Sequence, residues 1–133
     1  REIERFGYKV EAGADFAVTQ PVFDPDALER FMERAADHAS PLVAGIWPFL
    51  NLRNAEFLAY EVPGVVVPES VVERMRAAQE KGDEAALEEG VSIAVEMIEA
   101  VKPLVRGFHL NAPSRRVDIA LRVLRQAGVS STA

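Results

Sequence analysis

The chain has 133 residues, of which 49% are hydrophobic, and it carries a formal net charge of −6 at pH 7. This length suffices for one domain with one core, and the acidic balance disfavours broad electrostatic contact with nucleic acid or anionic lipid. The absence of cysteine excludes disulfides and thiolate metal sites, and no apolar stretch approaches the roughly 20 residues of a membrane helix.

The first third of the chain alternates between helical and strand-like patterns. Residues 2–12 form an amphipathic pattern that Gly13 ends, which predicts a helix. Residues 14–24 contain a near-continuous apolar run that ends in an amide, a proline and an aromatic ring. This pattern predicts a strand buried on both faces, with Thr19 and Gln20 at its C-terminal rim. The rim is where α/β folds build their sites, so this strand end is the first candidate for a functional position.

The next elements are two helices separated by a second strand. Asp24 is placed to cap a helix that has proline in its first turn. Residues 41–47 predict the second strand, and Asn51 is placed to cap the helix that continues to the turn at residues 62–64. Residues 65–67 are compatible with a short strand or with an irregular connection.

The remaining pattern predicts two helices, a last strand and a closing helix. Residues 68–78 and 85–100 are helical in pattern, and the second of these has a long apolar stripe. Residues 105–110 predict the last strand, 111–114 a rim turn and 115–126 the closing helix. Such alternation predicts parallel strands joined by crossover helices.

Three parallel strands leave two open sheet edges, and such edges invite association. The chain is therefore expected to be a sector of a larger α/β barrel or to complete itself by dimerising. Because the chain begins with Arg1 rather than methionine, we expect it to be a piece of something longer. The lack of cysteine also agrees with a reducing compartment, so we expect a cytoplasmic protein.

Several segments resemble the methylenetetrahydrofolate reductases, in the order in which they occur in that family. Residues 9–24 (KVEAGADFAVTQPVFD) resemble the sixth strand region, 44–48 (AGIWP) the seventh and 107–111 (GFHLN) the eighth. Residues 48–58 and 61–65 resemble most the bacterial form that is fused to a homocysteine S-methyltransferase. The resemblance implies that residues 1–128 are the C-terminal portion of a (β/α)8 barrel, about strands six to eight, followed by a polar tail.

The resemblance also implies an activity for the parent protein. The family uses a flavin, usually FAD, and transfers a hydride from NAD(P)H through it to 5,10-methylenetetrahydrofolate, which yields 5-methyltetrahydrofolate for methionine biosynthesis. The family's catalytic acid and the aspartate that tunes its flavin both precede this segment. The isolated chain is therefore expected to be inactive, with no catalytic residue of its own and with the missing strands or a second copy as its partner.

Four residues carry the substrate-binding role that the resemblance implies. Gln20 matches a glutamine that binds the folate pterin ring, and an amide does offer both a donor and an acceptor. Asn54 takes the place of a glutamine near the folate tail, and Arg115 matches a basic residue on the folate or nicotinamide side. Phe23 is expected to be an aromatic wall of the pocket, whereas Leu58 replaces a stacking aromatic and offers no ring.

The resemblance also implies three residues that bind the diphosphate and adenosine parts of FAD, namely Lys9, Arg5 and Glu2. Tyr8 stands where family members often have a basic residue. Each of these residues also has a plainer interpretation. Lys9 and Arg115 are also compatible with solvated surface charges, and Gln20 with a side chain that satisfies backbone groups at a strand end. Trp47 is compatible with a pocket wall or a core position.

His109 is expected to be a core or rim hydrogen-bonding residue. Because His38 is the only other histidine, no metal cluster is predicted.

Two other functions remain open. A barrel enzyme for phosphorylated substrates is disfavoured, because residues 48–51 and 111–114 lack a glycine-rich turn. The stronger alternative is a non-catalytic half-barrel module that assembles through its strand edges.

Overall fold

A three-stranded parallel sheet organises the chain. The computed structural model describes residues 17–34 and 42–128. Strand β1 spans Ala17–Pro21, β2 spans Leu42–Ile46 and β3 spans Gly107–Leu110, and they pair in the order β1-β2-β3. Both pairings are parallel, which confirms the α/β class with a small parallel sheet. The helix predicted at residues 2–12 and the tail at 129–133 lie outside the described residues.

The described residues also form five α-helices, three of which lie between β2 and β3. Residues 65–67 form an irregular connection rather than a strand. None of the described helices is long and apolar enough to cross a membrane. The helices are α1 (Pro25–Arg34), α2 (Leu52–Tyr60), α3 (Glu69–Glu80), α4 (Asp83–Val101) and α5 (Val117–Ala127).

Local capping signals explain where two of these helices begin. The Asp24 carboxylate accepts the N–H of Ala27 at 3.2 Å, and the Asn51 side chain accepts the N–H of Asn54 at 2.9 Å. Each bond satisfies a backbone donor that has no partner within its helix, and both caps were predicted.

The predicted start of the closing helix is wrong by two residues. Ser114 and Arg115 have φ values of 51° and 63°, which are left-handed and incompatible with a right-handed helix. They belong to a 3-10 turn over Pro113–Arg115, and α5 begins only at Val117.

The core lies between one face of the sheet and the helices, with α4 at its centre. Helix α4 packs against α3, α5 and β2. Gly90 lies where α4 closely approaches the chain after β2: a Cβ at that position would be 1.9 Å from the Phe49 carbonyl oxygen. The main buried side chains around α4 are Ile46, Phe49, Leu58, Val72, Met75, Val91, Ile93, Ile98 and Val123.

The opposite face of the sheet carries a different set of residues. Val18 pairs with Val43, and Val43 with Gly107, so these three residues share one face. Val18 is 51% exposed, and a Cβ on Gly107 would meet no atom within 4 Å. Parallel sheets are ordinarily covered on both faces. In the part of the chain that the structure describes, this face has no comparable cover.

An ion-pair network joins α3 to α4 at the surface. The Arg74 guanidinium lies 3.1 Å from a Glu89 carboxylate oxygen and 2.6 Å from one of Glu96. The second bond is part of a two-pronged pair, since another guanidinium nitrogen donates to Glu96 at 2.9 Å. The hydrogen bond from Arg74 lowers the pKa of Glu96 below its ordinary value of 4.5.

Candidate functional site

The carboxyl ends of the three strands lie along one edge of the sheet. β1 ends at Pro21, β2 at Ile46 and β3 at Leu110. The N–H of Asn111 donates to the carbonyl of Ile46 at 2.9 Å, which holds the chain after β3 beside the end of β2. Because ligands of parallel α/β sheets bind at this edge, the candidate site is built from the residues that follow the strands.

A one-residue bulge interrupts β1 just before its end. Val18 pairs with Val43 and Pro21 with Gly45, so three steps along β1 match two steps along β2. At the bulge the hydroxyl of Thr19 accepts the N–H of Gly45 at 3.0 Å, in place of a backbone carbonyl. A bulge bends its strand and changes where side chains are directed, so the end of β1 is not a regular strand end.

A groove of about 500 Å³ lies beside the bulge. This volume is within the range of roughly 300–1,000 Å³ typical of small-molecule sites. The exposed carboxamide of Gln20 contributes to the lining and makes no hydrogen bond with any described residue, so its donor and acceptor are both available. The described lining consists of Val18, Thr19, Gln20, Pro21, Val22, Phe23, Asp24, Ala27, Leu28, Phe31, Leu42, Gly64 and Val66.

Aromatic side chains connect the groove to the core. The rings of Phe23 and Phe49 are stacked, with centroids 4.8 Å apart and an interplanar angle of 11°. Phe23 is only 3% exposed, so it supplies a wall of the groove while most of its surface packs in the core. Trp47 is half-buried against the core, and its Nε1 is buried without a hydrogen-bond partner among the described residues.

Asn54 and Leu58 lie on α2 and serve its structure. The Asn54 side-chain oxygen accepts the N–H of Leu50 at 3.0 Å, so together with the Asn51 cap it closes the start of the helix. Leu58 is 2% exposed within the core. The position that the resemblance associates with a stacking aromatic is therefore a packing position in this chain.

Arg115 and His109 are both exposed at the β3 side of the sheet. Arg115 lies in the left-handed turn before α5, where its N–H donates to Ala112 at 3.1 Å. Within residues 17–34 and 42–128, no carboxylate pairs with its guanidinium and none of the side chains hydrogen-bonds the His109 ring. The expected core or rim hydrogen bond of His109 is not found among these residues, because the ring is on the less covered face.

No group of three or more metal-ligating side chains is found where the structure is described. Lys9, Arg5 and Glu2, which the resemblance implies as cofactor-binding residues, lie outside the described residues. Of the predicted substrate-binding residues, only Gln20 and Phe23 line the same groove. Asn54 and Arg115 are not part of its described lining.

Comparison with known proteins adds an independent observation to this geometry. The sequence profile described as methylenetetrahydrofolate reductase matches residues 1–128. The chain belongs to the methylenetetrahydrofolate reductase family. A relative named methylenetetrahydrofolate reductase 2, from Schizosaccharomyces pombe (strain 972 / ATCC 24843), is 32% identical over 139 residues. That alignment covers 97% of this chain and 21% of the relative, so the chain spans about a fifth of the relative's length.

Membership of the methylenetetrahydrofolate reductase family confirms the family resemblance that residues 9–24 and the later segments indicate. The sequence interpretation nevertheless missed two residues of the site, Thr19 as a backbone acceptor and Gly45 as its partner. A glycine inside the apolar second strand was the available signal, because such glycines mark bulges or close backbone contacts. The residue that Gly45 contacts could not be read from that signal.

Proposed function

We propose that this chain is part of a flavin-dependent oxidoreductase that reduces 5,10-methylenetetrahydrofolate to 5-methyltetrahydrofolate with NAD(P)H. In this proposal the chain forms about strands six to eight of a (β/α)8 barrel, and earlier strands cover the exposed sheet face. Family membership and the parallel sheet with helices packed on one face support it. The observation that carries it is the unpaired Gln20 carboxamide at a strand end, in a groove of suitable size.

Gln20 is the residue that recognises the folate in this proposal. A pterin ring presents hydrogen-bond donors and acceptors along one edge, and a single carboxamide can satisfy one of each. The apolar lining, including Phe23 and Val66, offers contact to the ring faces. Such a division, apolar walls with few polar groups, is typical of sites for flat heterocycles.

Asn54 and Arg115 have secondary binding roles in this proposal. The Asn54 oxygen accepts the N–H of Leu50, and the amide N–H groups of Asn54 are donors that can bind an acceptor near the folate tail. The guanidinium of Arg115 is exposed and is suited to an anionic group of folate or nicotinamide. Both contacts require the ligand to extend beyond the described groove.

FAD is the proposed cofactor, with Lys9, Arg5 and Glu2 as its binding residues in this chain. These residues would hold the cofactor, and a flavin bound there would supply hydride transfer between reduced nicotinamide and the folate. The apolar walls of the groove are compatible with a flat heterocycle that lies beside the folate bound by Gln20. The catalytic acid and the flavin-tuning aspartate are proposed to come from earlier strands, which makes the isolated chain inactive.

Reconstitution tests this proposal. The purified chain is mixed with FAD and with a complementary fragment that holds the first five strands, and flavin absorbance and fluorescence are recorded. Flavin retained only by the mixture, reduced by NADH or NADPH and reoxidised by methylenetetrahydrofolate, is the expected result. Flavin retained without any reoxidation by the folate would contradict the proposed substrate, and absence of flavin from the mixture would contradict the flavin barrel.

A half-barrel assembly module is the second candidate. The outer edges of β1 and β3 are not paired with another described strand, and Val18 is half-exposed on the sheet face. A sedimentation mass that rises with concentration supports this candidate, and a monomer at all concentrations contradicts it. Residues 48–58 and 61–65 resemble most the bacterial form that is fused to a homocysteine S-methyltransferase, and the mass of the intact protein tests whether such a domain is present.

A further inference from the structure

The bulge in β1 is held by hydrogen bonds that converge on Thr19 and Gly45. The Thr19 hydroxyl donates to the carbonyl of Gln20 at 2.7 Å and accepts the N–H of Gly45 at 3.0 Å. The N–H of Val22 then donates to the carbonyl of Gly45 at 2.9 Å, which resumes the pairing beyond the bulge. In a regular pair of strands a backbone carbonyl would accept the N–H of Gly45. At the bulge the hydroxyl of Thr19 accepts it instead.

Gly45 makes room for this arrangement. A Cβ on residue 45 would lie 2.7 Å from the carbonyl oxygen of Thr19 and 3.3 Å from that of Gln20. The bulged carbonyls occupy the space in which any other residue would place its side chain. The hydroxyl and the missing side chain come from residues 26 positions apart, and they act on the same backbone segment.

We propose that Thr19 and Gly45 are positioning residues that fix the direction of the Gln20 carboxamide in the groove. This inference deepens the proposed function and depends on it. Thr19 and Gln20 lie between the pairs Val18–Val43 and Pro21–Gly45, opposite the single residue Ala44. Gln20 is therefore part of the bulge, and loss of the bulge changes the direction of its side chain. The bulge hydrogen bonds hold the register at which Gln20 contributes to the groove.

Thr19→Val removes the hydroxyl while preserving the branched shape of the side chain. The N–H of Gly45 then loses its acceptor, and the carbonyl of Gln20 loses the donor that holds it. Displacement of a binding group by about 1 Å is sufficient for large losses in activity. We expect the KM for methylenetetrahydrofolate to rise about tenfold, with little change in flavin reduction by nicotinamide.

The experiment uses the intact enzyme that contains this chain, with flavin content measured for every variant. Thr19→Ser retains a hydroxyl, so its folate KM is expected to stay within about twofold of the wild-type value. Ser70→Ala is the matched control, because it removes an exposed hydroxyl from α3, away from the described groove. If Thr19→Ser raises the folate KM as much as Thr19→Val does, the positioning role is overturned.

A double-mutant cycle separates positioning from general destabilisation. If Thr19 acts through Gln20, Thr19→Val adds little to the effect of Gln20→Leu on the folate KM. Additive effects of the two substitutions would overturn the proposal. A flavin reduction rate that falls as much as folate turnover does would also overturn it.

Hydrogen exchange tests the bulge independently of the activity. The amide of Gly45 is expected to exchange at least about tenfold faster in Thr19→Val than in the wild type or Thr19→Ser, since it loses its acceptor. If the wild-type enzyme fails to reduce methylenetetrahydrofolate, the proposed function is contradicted. The exchange rate at Gly45 can still be interpreted in that case, because its measurement requires no activity. Unchanged exchange at Gly45 would refute the bulge mechanism itself.

Discussion

Gly90→Ala is predicted to destabilise the protein although alanine is the better helix former. Gly90 lies inside α4, where the change to alanine ordinarily stabilises a helix by about 1 kcal/mol. Here the new Cβ would lie 1.9 Å from the carbonyl oxygen of Phe49, 2.8 Å from its carbonyl carbon and 3.2 Å from its Cα. The opposing atoms are backbone atoms, which cannot move aside as the end of a flexible side chain can.

The size of the effect follows from the separation that is required. Ordinary contact at 3.4 Å instead of 1.9 Å requires α4 and the chain at Phe49 to move apart by about 1.5 Å. Core overpacking with backbone shifts costs about 1–3 kcal/mol, and this displacement belongs at the upper end. After subtraction of the helix preference, we expect a net loss of about 2 kcal/mol in the free energy of unfolding.

Urea denaturation followed by circular dichroism measures this loss, with Gly107→Ala as the matched control. A Cβ on Gly107 meets nothing within 4 Å, so this substitution is expected to change stability by less than about 0.5 kcal/mol. A thermal midpoint lower by roughly 6–10 °C is the corresponding result for Gly90→Ala. A Gly90→Ala protein as stable as the wild type would refute the close contact between α4 and Phe49.

Three further substitutions test other parts of the structure by the same denaturation assay. Asn51→Ala is expected to cost about 1 kcal/mol, because it removes the acceptor for the Asn54 N–H; an unchanged midpoint would argue against the cap. Phe49→Ala is expected to cost about 3–5 kcal/mol through loss of a fully buried ring, with a loss below 1 kcal/mol contradicting its core position. Arg74→Met is expected to cost less than about 1 kcal/mol at pH 7, since the network is partly exposed. Arg74 lowers the Glu96 pKa below 4.5 in the folded state, so this difference is present above pH 4.5 and shrinks as pH falls through the folded-state value. A difference that persists undiminished at pH 2 would show that packing, not charge, is responsible.

The sequence predicted those features that depend on neighbouring residues. The caps at Asp24 and Asn51 were predicted correctly, because each bonds to an amide three residues later. The alternation of strands and helices followed from hydrophobic periodicity, which reports the buried side of each element directly. The end of β1 near Gln20 and Pro21 followed from the same run, since the apolar residues give way there to an amide and a proline.

Features that depend on distant residues were not predicted. The Thr19 bulge needs the register of two strands, and nothing near Thr19 in the sequence specifies Gly45 as its partner. The contact of Gly90 with Phe49 likewise depends on how α4 lies over the end of β2.

The strand order β1-β2-β3 is the same as the order of the strands along the chain. During synthesis, each new strand therefore finds its pairing edge already present, and no strand has to be inserted between two earlier ones. Because three helices lie between β2 and β3, α4 can pack against β2 before β3 leaves the ribosome. The molecule can thus be assembled progressively from its amino-terminal side, with each unit acting as the template for the next.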